Sequence, residues 1–520
     1  MSRGTRSRPR ADRDRALDPG SSKAGEVAQR ARALITSRTF IYAILCFGII
    51  LRLAQYAFNR SLWFDESLLA LNIVNRSAAD LLKPLDYNQG APVGFLLIEK
   101  LSVGIFGVSD YSLRLFPLVC GVISLFLFYR VATHFIDPRA VPLALGLFAI
   151  SDKLIYYSSE VKQYSSDVCV ALLLYAAAIH CVQSERLTAP RIALFGAIGG
   201  LAIWLSHPAV FILAGVGVSV TWFCLARKDW LRLGRISIAC AVWILSFVAC
   251  YFVSFRTLIQ NQALKAYWSG SFIRLPSLTF SYAEWALTTF LGLFLDPAGL
   301  FLRGVPAFAF LVGCAAMFYQ KREQFFLLIL PLPFVLLASG LGLYPFGGRL
   351  LLFGVPFLLL FIAEGAAQVM ITSSGRANIV GAPLLALLVF PPLMYSSYHL
   401  VVPRTFEEIK PVLSYLRQHR QDGDRLYLYY SSWAAFSFYR EQYGLENRDM
   451  MLGIASRENW NRYREDLDRL RGHSRVWVLF SHVVRDEDRF LLGYLDTIGK
   501  RLRSHSDTGA AVYLYDLSTS

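Results

Sequence analysis

The chain has 520 residues, of which 55% are hydrophobic and only 17% charged, with a formal net charge of +15. That much apolar sequence with so little charge excludes an ordinary soluble protein of this length and points to a polytopic membrane protein. The positive charge gathers in the N-terminal tail and in short connections, a pattern of cytoplasmic flanks and not of a nucleic-acid surface.

Residues 1–38 are rich in Arg, Ser, Ala and Asp, cannot bury a core, and read as a disordered basic cytoplasmic tail, not a cleaved signal peptide. A first apolar span runs from about Phe40 to Phe58, so its far end lies outside. Ser61-Leu-Trp-Phe-Asp-Glu-Ser67 follows, leading into an amphipathic helix over Asp65 to Asn75. Pro92 to Gly107 is apolar but short and carries Glu99 and Lys100 at its centre, which suits a helix at the outer interface better than a crossing.

Ten further apolar stretches begin near residues 112, 140, 165, 190, 209, 233, 299, 325, 350 and 379, giving about 11 transmembrane helices. An odd count puts Arg186 with Arg191, the cluster Arg227, Lys228, Arg232 and Arg235, and Lys321 with Arg322 on the same side as the tail. The eight cysteines fall in or beside apolar segments without metal-ligand spacing and read as packing residues. Residues 39–403 thus form a membrane domain with an outer loop over 59–111. Residues 404–520 form a small α/β domain on the outer face, with strands at Leu426–Tyr430, Val476–Phe480 and Ala511–Tyr515 alternating with helices in a mainly parallel sheet.

The outer connections collect polar groups. Asp65 and Glu66 follow the first span, Glu160, Lys162 and Tyr164 open the fourth, His207 joins the fifth and sixth, and Arg349 begins a late span after Gly347-Gly348. A carboxylate accepts a proton from a hydroxyl while Lys and Arg hold a phosphate leaving group. The bland alternatives are an N-cap for Asp65 and Glu66, snorkelling for Lys162 and Arg349, and a turn role for His207. Paired acids are also compatible with a divalent metal, although no further ligand spacing supports one.

Leu62-Trp-Phe-Asp-Glu66, Asn88-Gln-Gly-Ala-Pro-Val-Gly-Phe95, Phe106-Gly-Val-Ser-Asp-Tyr-Ser-Leu-Arg-Leu115, Ser159-Glu-Val-Lys-Gln-Tyr164 and Arg349 occur in an order that resembles the GT-C glycosyltransferases. That superfamily uses polyprenyl-phosphate-linked sugars and includes protein O-mannosyltransferases, aminoarabinose transferases and rhizobial lipopolysaccharide core transferases. The resemblance spans roughly residues 40–370. It implies an inner-membrane inverting glycosyltransferase, with the N-terminus cytoplasmic and the C-terminal domain periplasmic or extracellular. A sugar would pass from a polyprenyl-phosphate donor in the lipid bilayer to a glycan, glycolipid or protein hydroxyl. Asp65 would be the general base, Glu66 its support, and Lys162, Tyr164 and Arg349 the phosphate contacts. Aminoarabinose transferases carry a lysine before the proline of the first outer loop, which Asn88 to Pro92 lacks, so the contact falls to Lys162. The segment from Arg256 to about Ala298, with Lys265 and Trp268, resembles the flexible outer loop of these enzymes. The alternative function is a lipid-linked glycan flippase using the same basic groups.

Overall fold

The computed structural model describes residues 37–183, 187–274, 279–372, 377–445 and 449–518. The expected disordered tail, apart from Ser37 and Arg38, lies outside the described residues, as does Arg186.

The first helices are α1 (Arg38–Ala57), α2 (Phe64–Asn75), α3 (Val93–Phe106), α4 (Asp110–Phe135), α5 (Val141–Ile150) and α6 (Asp152–Tyr157). They are followed by α7 (Tyr164–Gln183), α8 (Ala189–Leu205), α9 (Ala209–Ala226), α10 (Trp230–Cys250), α11 (Arg256–Gln260), α12 (Gln262–Tyr267) and α13 (Phe280–Leu295). The membrane domain ends with α14 (Gly304–Gln320), α15 (Arg322–Ile329), α16 (Pro331–Gly340), α17 (Val355–Thr372) and α18 (Ala377–Tyr398). Among the described residues, eight helical stretches are long and apolar enough to cross a membrane. Helices α5, α8 and α14 are apolar but shorter and occupy the places of the other three expected crossings, so length and composition alone do not confirm the count of eleven. The expected crossing over 140–157 breaks at Ser151, whose extended backbone separates α5 from α6.

Small residues set the tightest packing. A Cβ on Gly313 would lie 1.9 Å from the Phe361 carbonyl oxygen, and one on Gly365 would lie 1.9 Å from that of Ala309. Helices α14 and α17 therefore meet backbone to backbone, which only glycine permits at both positions.

Charge separates by end. Arg227 pairs with Glu323, Arg232 donates to the Cys181 carbonyl at 3.1 Å, and Lys321 pairs with Glu364, which also accepts the Asp137 N–H at 2.6 Å. The basic clusters expected on one side of the membrane thus share one end of the bundle.

Two other expectations change. Helix α2 is not amphipathic: Glu66 to Ile73 are all buried, Asn72 included, because the C-terminal domain covers the face expected to meet water. The segment from Arg256 to Ala298 is mostly helical, built from α11, α12 and α13, and not an extended loop. Helix α3 covers the short apolar stretch expected to be helical, and its Lys100 donates to the Ile73 and Val74 carbonyls at 2.9 Å each, closing the C-terminus of α2.

The C-terminal domain contains α19 (Ile409–His419), β1 (Arg425–Leu428), α20 (Trp433–Tyr439), β2 (Met450–Leu452), α21 (Asn461–Asp468), β3 (Val476–Ser481), α22 (Glu487–Ile498), β4 (Lys500–Asp507) and β5 (Ala510–Asp516). The sheet order is β2-β1-β3-β5-β4. It is mixed and not mainly parallel: β2, β1 and β3 run parallel, while β5 is antiparallel to both neighbours. A tight turn through Gly509, with φ +65°, makes β4 and β5 a hairpin and imposes the reversal.

Residues 404–410 strap this domain to the start of the outer loop. Arg404 pairs with Asp152, and Glu407 accepts the Phe64 N–H at 3.0 Å. Glu408 accepts the Ser61 N–H at 3.2 Å, and Lys410 meets Asp110 at 2.6 Å.

Candidate active site

The centre is Asp65, at the second position of α2. Its Oδ1 receives the Lys162 Nζ at 2.9 Å, and its Oδ2 lies 2.8 Å from the Arg349 guanidinium. Three segments far apart in sequence thus bring one carboxylate and two cations together. Burial raises the Asp65 pKa, but Lys162 and Arg349 outweigh it and hold the carboxyl below its usual range. Gln89 accepts a second bond from Lys162 Nζ at 2.7 Å, a partner the sequence did not single out.

Arg349 is framed by aromatic rings. Its guanidinium lies 5.6 Å from the Trp63 ring, 5.5 Å from Tyr164 and 5.6 Å from Trp268. Gly348, with φ +50°, turns the chain so that Arg349 enters the site at the start of a short 3₁₀ stretch. The Phe346 N–H donates to the Ser271 carbonyl at 2.7 Å, tying the Trp268 segment to that turn.

Glu66 points the other way and is fully buried. Arg114 grips it with bonds of 2.9–3.1 Å, Arg60 donates at 3.3 Å, and the Val161 N–H donates at 2.8 Å. Burial raises its pKa, but the two guanidiniums prevail and keep it ionised below the usual range. Each acid of the pair therefore has its own task. Glu66 bonds the backbone beside Lys162, and Asp65 then meets the Lys162 side chain.

Glu160 is buried behind the site and accepts the Trp63 Nε1–H at 2.9 Å. Burial, reinforced by the Glu66 carboxylate, pushes its pKa up to about 7. Between the ordinary Glu value of about 4.3 and this one, the folded chain keeps a proton that the unfolded chain has lost, so stability falls as pH rises through that window. Glu160→Gln retains an acceptor for Trp63. It is expected to be more stable than the parent at pH 8, by on the order of 1–3 kcal/mol, and equal to it near pH 4. Thermal unfolding of both proteins across pH checks this, and an unchanged difference at all pH values contradicts it.

Asp65, Lys162, Tyr164, His207, Lys265, Trp268 and Arg349 all line one cavity of about 710 Å³. Glu66 and Glu160 lie behind its wall. Burial lowers the His207 pKa to about 4, so its imidazole is neutral, and its ring lies 5.0 Å from Phe255. Its lining combines the polar groups around Asp65 with apolar side chains that include Phe211, Phe247, Tyr251 and Leu258. His482 and Arg457 of the C-terminal domain also line it, and neither drew notice from the sequence.

Asp65 and Glu66 are the paired acids that a divalent cation would use. Each acid is already neutralised by two cationic side chains, and no group of three or more His, Cys, Asp or Glu converges among the described residues.

No protein-family model and no curated protein sequence matches the chain. Among solved structures, ArnT from Cupriavidus metallidurans bound to undecaprenyl phosphate aligns with a TM-score of 0.52 at 12% identity, covering 92% of this chain and 97% of that one. The oligosaccharyltransferase AglB from Archaeoglobus fulgidus, in complex with an inhibitory peptide and a dolichol-phosphate, aligns with a TM-score of 0.48 at 14% identity, covering 91% and 74%. The alignment with ArnT runs through both the helical bundle and the C-terminal domain, so this chain shares the fold of that structure.

Proposed function

We propose that the chain is an inverting glycosyltransferase of the membrane's outer face, moving a sugar from a polyprenyl-phosphate donor to a hydroxyl of an envelope glycan, glycolipid or protein. The observation that carries this reading is Asp65 held between Lys162 and Arg349 in a cavity whose lining also holds many apolar and aromatic side chains. A lipid-borne phosphate matches both, with its charge on the two cations and its chain along the aromatic side chains.

The acceptor oxygen attacks the anomeric carbon, Asp65 takes the hydroxyl proton, and the bond from that carbon to the phosphate oxygen breaks. The electron pair leaves with the polyprenyl phosphate, whose charge Lys162 and Arg349 stabilise. Attack opposite the leaving group inverts the anomeric centre. Glu66 acts as a positioning residue, and Tyr164, His207, Lys265 and Trp268 bound the donor space. No step needs a metal, so transfer should persist in EDTA.

The test is transfer of labelled sugar by the purified chain from a panel of polyprenyl-phosphate sugars to envelope extract. Lys162→Ala and Arg349→Ala should each raise the donor KM about tenfold or more, the usual scale of a lost charge-assisted contact. Movement of the labelled lipid across a vesicle bilayer without any transfer would instead establish the flippase alternative.

A further inference from the structure

The cavity has a second basic corner that the donor reading leaves unused. It is built by the C-terminal domain at the carboxyl ends of its parallel strands. The segment after β1 leads toward β2 on one side, and the segment after β3 leads toward β4 and β5 on the other. Open α/β sheets take ligands where connections part in this way. Here the parting places Tyr430 after β1 and His482 after β3, and Arg457, after β2, reaches in beside them.

Both basic groups are held ready. Arg457 donates its Nε–H to the Tyr430 hydroxyl at 2.8 Å, and that hydroxyl donates to the Glu487 carboxylate at 2.9 Å. No carboxylate pairs with Arg457 among the described residues, so its terminal nitrogens remain available as a two-pronged donor. His482 is fixed on three counts. Its Nδ1 bonds Glu407 at 2.5 Å, its ring stacks on Phe64 at 4.5 Å and 9°, and its backbone sits at φ +53°. A left-handed backbone at a non-glycine residue is a cost that the surrounding contacts must impose. With its Nδ1–H given to Glu407, the ring donates Nε2–H to an anion as the imidazolium, and Nε2 has no protein partner among the described residues, with the side chain 32% exposed.

We infer that Arg457 and His482 form an anion site for the acceptor, which carries a phosphate or carboxylate on the sugar unit that it presents to Asp65. This rests on the transfer reading and extends it: Lys162 and Arg349 serve the donor, and Arg457 and His482 serve the acceptor. A donor phosphate satisfies the first pair, and a second anion matches the second.

The experiment uses the full chain in nanodiscs containing excess undecaprenyl phosphate, so that the donor cations are occupied, with binding of labelled glucose 6-phosphate, glucuronate and glucose followed by equilibrium dialysis. The two acidic sugars should bind about tenfold or more tighter than glucose. Arg457→Gln, at an exposed position, should abolish that preference, as should His482→Ala, with undecaprenyl phosphate binding unchanged in both. Equal binding of the three sugars would overturn the inference, as would loss of undecaprenyl phosphate binding alone in Arg457→Gln. A parent chain whose undecaprenyl phosphate binding ignores Lys162→Ala would overturn the donor reading instead, with the preference among sugars still read separately.

Discussion

Asp65→Asn is expected to lower kcat by about 10²- to 10⁴-fold, the usual contribution of a positioned general base, while the chain folds and binds donor. The amide keeps the shape of the carboxylate and takes no proton. The acid limb of the pH profile of the parent enzyme adds a second readout. In the free protein Lys162 and Arg349 hold the Asp65 pKa down, so the kcat/KM contribution from this group falls away only below the ordinary carboxylate value of about 3.9. In the donor complex the phosphate shares those cations, and the same limb in kcat moves to higher pH. Donor binding thereby makes Asp65 more basic at the moment a base is needed. A folded Asn variant with full transfer activity would remove Asp65 from this role.

The second large effect is on stability. Glu66→Gln or Arg114→Met should each destabilise the protein by roughly 3–5 kcal/mol, because each leaves the buried partner group without its counter-charge. Replacing both with apolar residues should cost less than the sum of the single changes, since Arg60 is then the one charge left in the cluster and keeps its bonds to Tyr156 and the Ser159 carbonyl, while the Val161 N–H loses its acceptor. Thermal unfolding in detergent measures all three. Single variants as stable as the parent would mean that the cluster does not hold the loop. The Glu66 contribution is present above the unfolded value of about 4.3 and is lost as pH falls through its lower folded pKa.

Much of this was legible from apolar runs and from the polar residues that interrupt them. Asp65, Lys162 and Arg349 stand at the ends of apolar segments, where residue type and position together suggest chemistry, and the structure brings all three into contact. Arg60 was not singled out and Arg114 entered only as part of the Phe106–Leu115 motif, although an arginine near the start of an apolar span was a signal of a buried partner. Glu407 lies 343 residues from the backbone it caps, and no local pattern announces such a contact. Strand β4, Lys500 to Asp507, is almost wholly exposed and lacks apolar alternation, so only its pairing with β5 identifies it. Helix α13 was hidden by the expectation of a flexible loop, although Phe280 to Leu295 is strongly apolar.

The strap over residues 404–410 makes the assembly of the active site depend on the order of synthesis. Asp65 is made early, yet the Phe64 N–H beside it waits for Glu407, and Ser61 waits for Glu408. The Arg60–Glu66–Arg114 cluster can form once residue 161 exists, but the caps on the Phe64 and Ser61 N–H groups come only when nearly four-fifths of the chain has been made. A chain that ends before residue 404 would therefore keep the Glu66 cluster but leave the Phe64 and Ser61 N–H groups beside Asp65 without their carboxylate caps.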